Sequence, residues 1–245
     1  MEAAAVSEKG MRAEMEDAHY LDLNLGGRGW VFGGVYDGHG GSYAAGYAAK
    51  RLHEVFLEKL LSGTSPQEAF TTAYETTSEE LSTQDSGTTA VTFLIRDRKI
   101  FTANVGDARA LVIGKKGFAQ LTVDHRLDNP AEKHRIEEMG GVIHYPYVYR
   151  GFSGLMPTRT LGDQYFKAVG VIATPLVGEH PISPEDLVLV AACDGLFDVM
   201  TNEEVRQLAR KYPQPQKLVE VLRDEALLVR QGTDNLTVIA ISLPP

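Results

Sequence analysis

Residues 30–41 read WVFGGVYDGHGG and residues 187–195 read LVLVAACDG. Each is an apolar run of strand length that stops at an Asp-Gly pair, Asp37-Gly38 in one and Asp194-Gly195 in the other. Short runs of β-branched and aromatic residues bounded by turn residues read as strands. A rigid sheet can present the side chain at a strand's end to a cleft, so both aspartates are placed for chemistry. A third, Asp234, stands directly before the last strand-like run, Asn235 to Ser242. Carboxylates converging from three strands repel one another unless cations bind between them. Hard cations such as Mg²⁺ and Mn²⁺ take oxygen ligands, and glycine after aspartate lets a backbone carbonyl approach such an ion. The plain alternative for a single Asp-Gly is a turn. Two of them after buried-looking strands, with Glu16-Asp17 upstream, favour the metal reading.

Working outward, Ser42 opens a helix whose apolar stripe runs through Tyr43, Tyr47, Leu52, Val55, Phe56 and Leu60. A second helix begins at Ser65-Pro66-Gln67-Glu68, with a cap residue, a first-turn proline and a glutamate three beyond the cap. Phe70, Ala73, Tyr74 and Leu81 continue its face. Residues 88–95, 99–105, 108–113 and 118–122 are short β-rich runs separated by turn chemistry, including Asp97-Arg98 and Gly106-Asp107. They predict an antiparallel meander. Asn129 caps a short helix that stops at Gly140-Gly141, and residues 142–160 read as an irregular surface loop. Thr201-Asn202-Glu203-Glu204 is a second capping box, and residues 216–229 form an amphipathic helix. The class is α+β, with a two-sheet core and helices outside, in a single domain spanning 1–245.

The chain has 245 residues, 43% hydrophobic and 23% charged, too apolar for disorder. A net charge of −9 argues against nucleic acid or an anionic membrane as the general partner. It sits awkwardly with a phosphorylated ligand unless cations reverse the local field. The one cysteine, Cys193, reads as a small buried side chain. No signal core or membrane-length run is visible, so a soluble cytoplasmic protein is expected. The sequence holds no P-loop, HExxH motif, EF-hand loop or Gly-x-Ser-x-Gly elbow. Residues 151–155 miss the last of these.

One series of segments carries a resemblance. It comprises Arg12-Ala-Glu-Met-Glu-Asp17, Val35-Tyr-Asp-Gly-His-Gly-Gly41, Ser86-Gly-Thr-Thr-Ala90, Asn104-Val-Gly-Asp-Ala-Arg109 and Leu121-Thr-Val-Asp-His125. It continues through Glu132-Lys-His-Arg-Ile136, Arg159-Thr-Leu-Gly-Asp163 and Cys193-Asp-Gly-Leu-Phe-Asp198 to Asp234-Asn-Leu-Thr237. In this order the segments resemble the PPM family of metal-dependent protein phosphatases, the type 2C enzymes, over essentially the whole chain. The resemblance implies a central sandwich of two antiparallel β-sheets flanked by pairs of α-helices. It implies a monomer acting on phosphoprotein substrates, with two Mn²⁺ or Mg²⁺ ions and a weaker third.

On that resemblance, Asp37 bridges two cations, the Gly38 carbonyl reaches one, and Asp194 and Asp234 hold the other. Glu16 and Asp17 act directly or through water. Asp124, Asp194 and Asp198 match the third position, although Asp198 reads equally well as a helix-start aspartate. Two cations on the order of 4 Å apart lower the pKa of a shared water from about 15.7 toward neutrality. In-line attack on phosphorus then needs no phosphoenzyme. His39 is the implied general acid and Arg12 the phosphate clamp. Their plain alternatives are a structural imidazole and a solvated surface charge. Asp107 and Arg109 read as structural, and His125 stays open. The chain departs from the family at Gly154-Leu-Met-Pro-Thr158, where small residues and a serine usually precede the arginine. Pro157 stiffens that backbone, beside the flap that relatives use around substrate.

Overall fold

In the computed structural model, which describes residues 1–243, two five-stranded antiparallel sheets face each other. Strands are numbered β1–β16 and helices α1–α7 along the chain. One sheet runs β1 (Ala3–Glu8), β16 (Leu236–Ser242), β15 (Asp186–Ala192), β8 (Arg109–Gly114), β9 (Phe118–Gln120). The other runs β14 (Leu176–Pro181), β7 (Lys99–Val105), β6 (Ala90–Arg96), β3 (Trp30–Tyr36), β2 (Ala18–Leu25). The last two residues of the expected 1–245 domain lie outside the described residues.

Alternation along the strands sorts side chains into three layers. Val35, Val91, Phe93, Leu189, Ala191 and Ile239 meet between the sheets. Their neighbours Phe32, Leu94 and Phe101 turn outward onto α1 (Tyr43–Leu61) and α2 (Pro66–Glu80). On the opposite side Leu111, Val190 and Val238 pack under α6 (Asn202–Lys211) and α7 (Pro215–Asp224). Burial on both faces is why β3 and β15 read as unbroken apolar runs rather than alternating ones. Both expected capping boxes form, with Ser65 and Thr201 hydroxyls accepting from the amides of Glu68 and Glu204.

Several local expectations are corrected. The buried face of α1 opens with Ala44, Ala45, Ala48 and Ala49, while Tyr43 is 55% exposed. Small residues let this turn sit close to the sheet, and Tyr47 instead donates its hydroxyl to Glu80 (2.9 Å). The four-strand meander is two hairpins in different sheets, β6–β7 and β8–β9, with Gly106-Asp107 crossing between them. Gly106 has φ +84°, and a Cβ there would lie 2.5 Å from Thr89 Cγ2. The helix expected over 216–229 is α-helical only to Asp224 and finishes as a π-helical turn, Glu225–Val229.

Residues 142–160 are not wholly irregular. They hold a small sheet of β10 (Val142–His144), β11 (Tyr147–Arg150) and β12 (Ser153–Leu155), packed with α3 (Pro130–Glu138) around Ile136, Val148 and Leu155. A last small sheet joins β13 (Leu161–Gly162), β5 (Gly87–Thr88) and β4 (Gly38–His39). The short helices α4 (Gln164–Lys167) and α5 (Asp194–Phe197) complete the chain. Among the described residues no helix is long and apolar enough to cross a membrane.

Candidate active site

The C-terminal ends of β3, β7 and β15 and the start of β16 lie at one end of the sandwich, around a cavity of about 530 Å³. Asp37, Asp107, Asp194 and Asp234 all line it from these strand ends, together with Arg12, Glu16 and His39. The small β10–β12 sheet closes the opposite wall through Tyr147 and residues 153–157, Pro157 included.

Close backbone approach assembles this end. A Cβ on Gly38 would stand 2.3 Å from the Glu16 carbonyl oxygen, and one on Gly195 would stand 1.9 Å from that of Asn235. Neither glycine has a positive φ. Each Asp-Gly is therefore neither a glycine-demanding turn nor merely room for its own carbonyl: the missing side chain admits a neighbouring segment. Asn235 ties the same segments together. Its Oδ1 accepts from the Glu16 amide (2.8 Å), and its Nδ2 donates to the carbonyls of Lys9 (2.8 Å) and Glu14 (3.0 Å). The Arg12 loop is thereby held over Asp234, and Arg12 Nη2 lies 2.6 Å from Asp234 Oδ2.

The electrostatics of the cavity are dominated by crowded, buried carboxylates. Desolvation, reinforced by Asp194 and Asp17, holds the Asp37 carboxyl well above the usual range. Desolvation followed by Asp107 and Asp198 pushes Asp194 up to about 7. Asp17 rises to about 6, again through desolvation first, although hydrogen bonds from Thr237 and Cys193 oppose it. Asp17 Oδ1 is buried with no hydrogen-bond partner among the described residues. Ligand-type atoms of Asp17, Asp37 and Cys193 lie within 4.8 Å of one another. Burial pushes the Cys193 thiol far up, so it stays protonated and donates to Asp17 Oδ2 (3.3 Å). An orphaned carboxylate oxygen beside mutually repelling aspartates fits a hard cation with oxygen ligands.

The structure separates two of the expected third-position residues. Asp124 does not line the cavity: both its oxygens are engaged by Arg109, at 3.1 and 2.6 Å. Arg109 also donates to Asn202 and lies 4.6 Å over the Phe197 ring, which fixes Asp124 on the β8–α6 side. Asp107 is inside instead. It is 3% exposed, and burial raises its carboxyl against the pull of Arg126, whose Nε lies 2.6 Å away. Arg126 also reaches Asp198 (2.9 Å) and Asp194 (3.4 Å). Asp198 follows the single turn α5 as its C-terminal cap, so it is not a helix-start aspartate. His125 is buried in the backbone packing between Gly106 and Thr158, a structural position.

Asp163 is the other residue that pattern reading passed over. Its Oδ2 lies 2.8 Å from His39 Nε2. Asp163 sits in the left-handed region (φ +49°), and a Cβ on Gly87 would meet its Oδ2 at 2.0 Å. Burial works against a charged His39, but the Asp163 carboxylate outweighs it and the imidazole pKa is raised. The signal for Asp107 was in the sequence: like Asp37, it follows an apolar strand, with the glycine before it rather than after.

The chain matches the family model described as Protein phosphatase 2C over residues 1–235. It is 30% identical to "Protein phosphatase 2C homolog 1" of Saccharomyces cerevisiae, over 95% of this chain and 89% of that one. It is 33% identical to "Probable protein phosphatase 2C 45" of Oryza sativa subsp. japonica, over 96% and 85%. Its fold superposes on the crystal structure of serine-threonine phosphatase 2C from Toxoplasma gondii with a TM-score of 0.86, at 25% identity, covering 99% of this chain and 94% of that one. Sandwich topology, strand-end aspartates and sequence therefore agree, and the chain belongs to the protein phosphatase 2C family of metal-dependent serine/threonine protein phosphatases.

Proposed function

We propose that this phosphatase cleaves phosphoserine and phosphothreonine monoesters by direct attack of water, with no covalent phosphoenzyme. Asp37, Asp194 and Asp234, with the Gly38 carbonyl and with Glu16 and Asp17 beside them, would hold two Mn²⁺ or Mg²⁺ ions. Asp107, Asp194 and Asp198 make the acidic wall suited to a weaker third, the part first expected of Asp124. Such cations, when bound, supply an activated water and offset the charge of the phosphoryl group. Arg12 is 55% exposed at the rim, with its guanidinium aimed into the cavity by Asp234. Its planar fork is suited to two phosphate oxygens. His39 would supply the proton that a departing serine or threonine oxygen needs, and Asp163 orients the imidazole and favours its charged form.

The observation that carries this reading is the set of strand-end carboxylates with raised pKa values around an unpartnered Asp17 oxygen. Calorimetric titration with Mn²⁺, run beside turnover of a phosphothreonine peptide, tests it. Chelated protein should be inactive and recover on adding Mn²⁺. Asp107→Ala should lose only the weakest binding step, and Asp124→Ala should lose none. Full turnover after exhaustive chelation overturns the metal reading. A weak step that survives in Asp107→Ala and vanishes in Asp124→Ala restores Asp124 to the third position.

A further inference from the structure

The active-site cavity does not end at His39. Asp85, Ser153, Asp163 and Phe166 line it and also line an adjoining hollow of about 360 Å³. Residues 82–85, between α2 and β5, bound that hollow on one side and Tyr165 bounds it on the other. The two make one continuous groove with the strand-end carboxylates at one end. A peptide whose phosphorylated side chain sat over those carboxylates would find room for one flank along residues 82–85.

Asp85 stands at the junction, exposed and lining both parts. It packs beside Gly40, where a Cβ would lie 3.4 Å from its carbonyl oxygen, and Ser86 next to it is buried. Its carboxylate has no ion-pair partner among the described residues. No lysine or arginine lines the hollow. Arg150, which touches the Tyr165 wall, is committed there: it donates to the Tyr165 carbonyl, and its guanidinium lies 4.2 Å over that ring. An accessible negative charge with no ion-pair partner among the described residues therefore lines the groove next to the phosphate site. Exposed Tyr165 adds apolar surface along which the methylene stem of a lysine or arginine can lie.

We infer that Asp85 is a specificity-determining residue that selects phosphoproteins carrying lysine or arginine close in sequence to the phosphorylated residue. The inference rests on the reading of the main cavity as the phosphate site. It is tested with phosphothreonine peptides in which a single Lys, Ala or Glu is moved through the positions on either side of the phosphoresidue. Turnover of p-nitrophenyl phosphate with Mn²⁺ reports the phosphate site alone. At one or more positions, kcat/KM for Lys over Glu should be about two- to fivefold, carried mainly by KM, as expected for one exposed ion pair. The preference should shrink as salt is added. Asp85→Asn should remove it, and Asp85→Lys should invert it, each ratio being taken within one variant whose p-nitrophenyl phosphate turnover shows that the phosphate site still works. A Lys-to-Glu ratio that is the same in wild type and Asp85→Lys at every position, with p-nitrophenyl phosphate turnover intact, overturns the inference. Loss of that turnover in the milder Asp85→Asn, with circular dichroism showing the variant folded, places Asp85 in the phosphate site and overturns it equally. No p-nitrophenyl phosphate turnover by the Mn²⁺-loaded wild type would instead overturn the phosphate-site reading, and this inference with it.

Discussion

Glu132, beneath the small β10–β12 sheet, and Asp37, at the end of the sandwich, are carboxylates drawn out of bulk water into opposite surroundings. Glu132 is 2% exposed, and its oxygens take hydrogen bonds from Arg135 (2.6 Å), Arg159 (2.6 to 3.1 Å) and Thr158 (2.8 Å). Burial alone would raise its pKa, but those donors outweigh it and bring Glu132 down to about 2. Asp37 has other aspartates where Glu132 has arginines, and its carboxyl is pushed well up. The difference separates a carboxylate whose charge is answered inside the protein from one whose charge must be answered by something bound. Glu132 holds the base of the β12–β13 connection to α3, so the wall of the cleft rests on a completed network. The floor of the cleft is left incomplete.

The sharpest way to break this comparison is at the floor. Asp194→Asn should lower phosphopeptide turnover by at least about a thousandfold, ~4 kcal/mol. The same change should leave the chelated protein as stable as wild type or more so, because it removes a repelling charge. Thermal melting with and without Mn²⁺ decides. A variant that keeps a tenth of its turnover, or that melts markedly lower without metal, contradicts the assignment.

Glu132→Gln should do the reverse. It leaves Arg135 and Arg159 without their buried partner and should cost about 3 to 4 kcal/mol in a urea titration. Tight Mn²⁺ binding should persist in the protein that remains folded. Loss of metal affinity with unchanged stability would erase the distinction drawn between the two sites.

His39 lies between these cases, since its one carboxylate partner answers its charge. His39→Gln should slow hydrolysis of a phosphoserine peptide about a hundredfold more than hydrolysis of an aryl phosphate. An aryl leaving group departs as a stable anion, whereas an alkoxide needs the proton. Equal losses on both substrates would assign His39 to positioning alone.

The smallest effect is one of pH. Glu132 titrates near 4.5 when unfolded and about 2 when folded, so the folded state binds the proton more weakly. Its contribution is full above the unfolded value and is lost as pH falls toward the folded one. Between about pH 6 and about pH 3 that loss is ~2 kcal/mol, and it should be absent from the stability curve of Glu132→Gln. A slope shared by wild type and variant would assign acid sensitivity to other groups.

Much of this arrangement was legible in the residues themselves. β3 and β15 announce themselves because both faces are buried, and the capping boxes at Ser65 and Thr201 locate α2 and α6 from local chemistry alone. β1 and β14 gave no such signal. β1 is half alanine, and β14 ends in proline, which belongs at a sheet edge. That β8 leaves the sheet of β7 was equally hidden, because the crossing at Gly106-Asp107 looks locally like a hairpin turn. The site divides along the same line. Asp37, Asp194 and Asp234 follow from strand ends, which are local features. Which aspartate shares their cavity, 107 or 124, depends on where a hairpin is placed, and the pairings of Arg126, Asp163 and Asn235 span 19 to 226 residues of chain.

The placement of β16 between β1 and β15, with Ala3 opposite Ile241, imposes an order on synthesis. On the ribosome β1 emerges first and has no strand beside it until residues 236–242 follow, at about 5–20 residues per second. Asp234 and Asn235 arrive just ahead of that strand, so the loop bearing Arg12 and Glu16 has nothing to close upon until then. The Arg12 loop is thus expected to close last, and activity to appear only after this strand has been made. A chain cut short before Asp234 should have a half-built sheet and no phosphatase activity.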